Sequence, residues 1–307
     1  MDRTLGLYRR LRQSMTQDIA DRTKAHQAKI ASFKTAAKAR LATGAAPPST
    51  PLVMLAHGDS WFDYPLDGNC PSLFCTDVTV QLNAMGNLNP HILNVSQWGD
   101  ATTAEMSLPK QQRMIAALQD SANWIDGKPD AILFSGGGDD IAGDQFCIFL
   151  DYACAGATGL DAARFRDALA IVEGSYRDLF AFRDRYASGV PIFGHCYDFP
   201  IPNGKGALPA VGPWLQPSLL FCGYSSLPQG TAIVRHALTE FRALLIKLQA
   251  ETDGTGKPKN NFILVDTQGT LDPATDWANE LHPYPDGFKK IAERFVTALQ
   301  SHFPDRI

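Results

Sequence analysis

Beyond residue 51, short apolar runs alternate with longer stretches in which apolar residues return every three or four positions. The runs Leu52–Ala56, His91–Val95, Ala131–Phe134, Val190–Phe193 and Phe262–Val265 have the length and near-continuous apolar character of strands buried on both faces. Segments 76–86, 109–121, 161–187 and 231–251 carry the helical period between them, and 284–301 follows the last run. This alternation predicts βαβ crossovers, and so a three-layer α/β/α domain over residues 52–307 with a five-stranded, mostly parallel sheet.

Two regions break that rhythm. At the N-terminus, Leu5, Tyr8, Leu11, Met15 and Ile19 recur at helical steps, and Ile30, Phe33, Ala37 and Leu41 do so again after a polar gap at Arg22, Thr23 and His26. The pattern predicts one interrupted amphipathic helix, or two short ones, over residues 1–42, followed by a Pro-rich linker over 43–51. Residues 196–228 hold six prolines together with Trp214, Leu215, Leu219, Leu220 and Phe221, which predicts a long insertion with too much apolar content for simple disorder.

Charge sharpens the reading of the N-terminal segment. Its ten Lys/Arg against three Asp give +7, while the whole chain carries −4, so the remainder is strongly acidic. A basic face with an apolar stripe suits docking on that acidic body, a second copy of the chain in a homodimer, or a membrane surface. Elsewhere no basic patch is interleaved with aromatics, which argues against nucleic acid as a partner. The 307 residues, 45% hydrophobic, suffice for one large core. Without a run near the ~20 apolar residues of a membrane span, and without a signal-type N-terminus, the default address is the cytoplasm. The six cysteines fit neither zinc nor thioredoxin spacing and read as free thiols; Cys70/Cys75 and Cys147/Cys154 are close enough to bridge only in an exported protein.

In open α/β sheets the chemistry gathers at the carboxyl ends of the strands. The first run delivers Gly58-Asp59-Ser60-Trp61, the second Ser96-Gln97-Trp98-Gly99-Asp100, and the third Ser135-Gly136-Gly137-Gly138-Asp139-Asp140. Near the C-terminus, Asp276-Trp277-Ala278-Asn279-Glu280-Leu281-His282-Pro283 precedes the last helix. Taken singly, each is an ordinary turn sequence. In this order they resemble the SGNH (GDSL-type) hydrolase superfamily over residues 52–300, with Trp61 after the serine as in a GDSW subgroup.

That resemblance implies a flavodoxin-like serine esterase or lipase needing no cofactor or metal. It makes Ser60 the nucleophile, His282 the general base, and Ser60, Gly99 and Asp139 the oxyanion-hole positions. The chemistry needs these types, because a hydroxyl becomes a useful nucleophile when an imidazole takes its proton, and the resulting oxyanion needs fixed donors. Two positions depart from the family pattern. Asp139 stands where an asparagine is usual, and must be protonated to donate. Asn279 stands where the acid of the triad is usual, leaving Asp276, Glu280 or a Ser–His dyad, with Asp276 favoured. His57 and Asp59 read as braces of the serine turn, His195 as a hydrogen-bonding or substrate-contacting residue, and Cys196 as lacking an activating partner. The apolar insertion suggests a wall or lid for an acyl chain or a hydrophobic polyester. Two other functions compete: a metal-dependent phosphoesterase using Asp59, Asp139, Asp140 and His282, and a non-catalytic binding protein on the same fold.

Overall fold

The computed structural model describes residues 2–46, 48–64, 77–85, 90–207 and 211–306, with residues 2–12 as backbone only. The Cys70/Cys75 pair, the outer ends of the 76–86 segment and the side chains of Leu5, Tyr8 and Leu11 fall outside that description.

Five strands form one sheet in the order β2-β1-β3-β4-β5: β1 (Val53–Gly58), β2 (His91–Asn94), β3 (Ala131–Ser135), β4 (Ile192–His195) and β5 (Phe262–Val265). Every pairing is parallel. The central strands β1 and β3 are buried along their whole length, as their continuous apolar runs require. The β4 run begins two residues later than its apolar pattern, at Ile192 after Pro191, and so carries His195 into the sheet.

Helices cover both faces. On one, α2 (Val78–Ala84) packs against α9 (Pro285–His302). On the other lie α3 (Thr102–Glu105), α4 (Leu108–Gln119), α6 (Ala162–Tyr186) and α8 (Leu227–Ala250). The first crossover steps from β1 to β2, and the next returns past β1 to β3. Right-handed connections therefore put the two on opposite faces and leave a crevice beyond the carboxyl ends of β1 and β3. The chain turns sharply there. Gly58 has φ +152 and lies so close to β3 that a Cβ would stand 2.2 Å from the Ser135 carbonyl oxygen. Past β3, Gly137 with φ +113 leads into α5 (Gly138–Ile141), a single turn; a Cβ on Gly137 would strike the Phe241 ring at 2.5 Å.

The N-terminal segment corrects one expectation. It is a single helix, α1 (Asp2–Ala42), without interruption. Its supposed polar gap is part of the face that docks on the body beside β2. His26 is buried between Ile19 and Ile30 and donates from Nε2 to the Asn123 carbonyl at 2.8 Å, while Arg22 reaches the Ser96 carbonyl at 3.3 Å and the Asp63 carboxylate at 3.3 Å. The insertion carries the short helix α7 (Gln216–Phe221) among its described residues, and its Trp214 lies against the loop before α9. No helix among the described residues is long and apolar enough to cross a membrane.

Candidate active site

Ser60 follows directly on β1, and His282 lies on the loop before α9. The structure brings them together: Ser60 Oγ is 2.7 Å from His282 Nε2. The proton on the imidazole is placed by its neighbours. The backbone N–H groups of Leu281 and His282 both donate to Asn279 Oδ1 at 2.9 Å, which fixes that atom as the amide oxygen. The same oxygen lies 3.2 Å from His282 Nδ1, so Nδ1 carries the hydrogen and Nε2 offers its lone pair to the serine hydroxyl. Burial pushes the His282 imidazole down to about 3, which keeps it neutral in ordinary buffers. Tyr64 packs on one side of the ring with centroids 4.5 Å apart, and Trp214 of the insertion meets it edge to face at 5.7 Å.

Neither carboxylate proposed as the acid reaches the imidazole. Asp276, the favoured one, is taken by Lys290, whose Nζ lies 2.9 and 2.7 Å from its two oxygens, and by the Asp272 N–H at 2.7 Å. Burial pushes that carboxyl up, but these partners outweigh it and hold it below the usual range. Glu280 is fully buried and turns the other way. It accepts the N–H groups of Gly204, Trp214, Leu215 and Gln216 at 2.6–3.1 Å and so fastens the insertion to the histidine loop. The partner of His282 is the neutral Asn279.

Behind the serine, Asp59 is locked by its neighbours. Its Oδ1 accepts the Trp61 N–H at 2.9 Å and the Ser135 hydroxyl at 2.7 Å, and its Oδ2 accepts the Tyr197 hydroxyl. His195 Nδ1 accepts the Tyr197 N–H at 3.3 Å, so its Nε2–H donates to Ser135 Oγ at 2.8 Å. The four residues make a closed ring under the Ser60 turn, and burial holds the His195 imidazole down to about 3. His195 is thus a member of this ring and not part of the cavity wall. Trp61 ties the turn to the opposite loop by donating its indole N–H to the Leu281 carbonyl at 3.1 Å.

The donors for an oxyanion are unevenly placed. Among the described residues, the backbone N–H groups of Ser60 and Gly99 have no acceptor. Gly99 sits in an exposed left-handed turn after β2, with φ +74, outside the lining of the cavity next to the serine. Asp139 does line that cavity, with a buried Oδ2 that has no hydrogen-bond partner among the described residues. Burial first, and then the charges of Asp59 and Asp140, push the Asp139 carboxyl well above the usual range. A second buried carboxyl, Glu105, stands behind Gly136 with neither oxygen paired, and is pushed up by burial and by Asp59, Asp140 and Asp139. Ser135 opens the third strand-end segment but has no role assigned there, and no motif marks Glu105 on α3 or Tyr197 just past β4.

The proposed metal set does not offer a shared group of free oxygens. Asp140 spends both of its oxygens on the N–H and hydroxyl of Thr102, each at 2.8 Å, and Asp59 is saturated as described. Among the described residues, no three His, Cys, Asp or Glu side chains are grouped to hold a metal ion. Cys196 is no rival nucleophile, since burial pushes its thiol up to about 11. Cys147 and Cys154 are free.

No family model matches the chain, and no curated protein matches it. Solved structures do. An extracellular lipase from Streptomyces rimosus shares 17% identity over 80% of this chain and 98% of its own, with a TM-score of 0.47. A lipase from a goat rumen metagenome shares 15% over 80% and 97%, with a TM-score of 0.46, and a carbohydrate acetylesterase from Sinorhizobium meliloti 12% over 81% and 99%, with a TM-score of 0.45. At this distance the chemistry of the site has to be read from its own atoms.

Proposed function

We propose that the protein is a serine hydrolase of carboxylic esters that works through an acyl-enzyme on Ser60. The observation that carries this reading is the 2.7 Å contact from Ser60 Oγ to the lone-pair nitrogen of His282, whose other nitrogen is held by Asn279. In that arrangement His282 takes the hydroxyl proton as Ser60 Oγ attacks the ester carbonyl, and returns it to the leaving alcohol. Water then attacks the acyl-enzyme with the same base. With a neutral amide behind the imidazole, the site operates as a Ser–His dyad oriented by Asn279, without a third carboxylate.

The oxyanion is met by the unpaired N–H group of Ser60 and by a protonated Asp139. A neutral carboxyl at 139 donates as the usual asparagine does, and its proton is retained by burial and by the charges beside it.

A fluorophosphonate probe tests the class directly. The wild-type protein should label and should hydrolyse p-nitrophenyl acetate, and Ser60→Ala should do neither. Hydrolysis that survives Ser60→Ala and disappears with EDTA would instead support the metal-dependent phosphoesterase reading.

A further inference from the structure

The cavity beside Ser60 and His282 has a volume of about 50 Å³. On the same measure a single water needs roughly 10–15 Å³, so the space holds only a few carbon-sized groups. One part of its wall comes from Ile141, Ala142 and Phe146, after the Gly-rich turn, and another from Val234, Ala237 and Leu238 on α8. None of these side chains is more than 8% exposed, so the wall is core and does not yield cheaply.

The roof is equally fixed. Leu215 of the insertion closes over the cavity, and its N–H is held at 2.7 Å by the buried Glu280 carboxylate, the same group that holds Trp214 and Gln216. Two of the polar groups that border the cavity are already committed. Tyr197 donates to Asp59, and Asp198 accepts the N–H groups of Phe199, Gly269, Thr270 and Leu271 at 2.6–2.8 Å. Among the described residues, the Asp139 Oδ2 beside the serine and the Trp277 indole N–H are the buried polar atoms without a partner there.

From this we infer that the protein is selective for esters of short acyl groups of about two to four carbons, seated in this cavity with the alcohol part outside it. The inference rests on the ester-hydrolase reading of Ser60 and narrows it: the insertion is a fixed roof over a small acyl site, not a lid for a long chain. Leu238 and Ala237 set the length, one by filling the cavity and the other by leaving room in it.

The test is a p-nitrophenyl ester series from acetate to decanoate, run on protein whose Ser60 has been shown to label with a fluorophosphonate. kcat/KM should be highest between acetate and butyrate and fall by at least about tenfold at the first length the cavity cannot hold. Leu238→Ala should move the optimum to longer chains. Ala237→Leu should move it toward acetate, with butyrate losing about tenfold or more relative to acetate. A labelled wild-type enzyme that prefers octanoate or longer overturns the inference while leaving the serine-hydrolase reading intact, as does a length profile that neither variant moves. A wild-type protein that does not label fells both together.

Discussion

Ser60 leaves the end of a fully buried strand, and the ring Asp59–Ser135–His195–Tyr197 beneath its turn draws on β1, β3 and the end of β4, so the sheet itself sets the position of Ser60. His282 has no strand under it. It sits on a loop whose two carboxylates are spent as fasteners: Asp276 pins the loop to α9 through Lys290, and Glu280 pins it to the insertion through four backbone N–H groups. The contrast accounts for the neutral Asn279 behind the imidazole, because the charges on this loop hold the backbone while an amide suffices to hold a tautomer. On the serine side, carboxyls are crowded and buried, and burial with the neighbouring charges pushes Asp139 well above the usual range.

The largest effect is expected at the contact between Ser60 and His282, where the two sides meet. Ser60→Ala or His282→Ala should each lower kcat on a short ester by on the order of 10⁴–10⁶-fold, and the double variant should lose little more than either, since the pair acts as a unit. Measured on folded protein, a loss under tenfold for either variant would sink the dyad. On the serine side, Asp139→Leu should cost on the order of 10²–10³ in kcat with little change in KM, as the loss of one oxyanion donor does. Asp139→Asn should keep most of the rate. Because the native carboxyl donates only while protonated, wild-type kcat should fall at alkaline pH as Asp139 ionises, and in Asp139→Asn that fall should vanish. A wild-type alkaline limb that persists in the variant would remove Asp139 from the oxyanion site.

Much of this arrangement was legible in the chain, and for identifiable reasons. Continuous apolar runs mark β1 and β3 because those strands are covered on both faces, and the order of the four segments brings Ser60 to His282. Periodicity failed at α1, where Arg22 and His26 look like an interruption but bond to carbonyls of the body, which only the fold brings near. The choice of Asp276 from its place on the histidine loop could not foresee Lys290 on α9, nor could any local pattern foresee the ring under Ser60, whose members are brought together by the parallel strands. Glu105 carried no signal, because nothing in its neighbourhood of sequence foretells that the Gly-rich turn packs on it.

On the histidine side, Glu280 gives the next largest effect. Glu280→Ala would strand several buried N–H groups, a cost of about 2–4 kcal/mol in unfolding free energy, and would release Trp214 from the edge of His282. Urea unfolding measures the first and kcat the second. Glu280→Gln, which keeps an acceptor oxygen, should recover part of both. A variant as stable as wild type would show that the insertion is held by its apolar contacts alone.

The smallest change, Asn279→Asp, tests the neutral partner itself. Burial holds the wild-type imidazole at about 3, so kcat/KM should stay flat with falling pH to well below the ordinary histidine value of about 6.5. The folded state binds fewer protons than the unfolded chain between those two values, so this histidine makes the protein less stable as pH falls through that window. A carboxylate on Nδ1 favours the imidazolium and should raise its pKa by about one to three units. The acid limb of kcat/KM should then move up by the same amount, and the loss of stability on acidification should become shallower. If the limb stays in place while His282→Ala remains inactive, Asn279 does not govern the charge of the base, and the proton on Nδ1 must be held by something other than the loop's own amide.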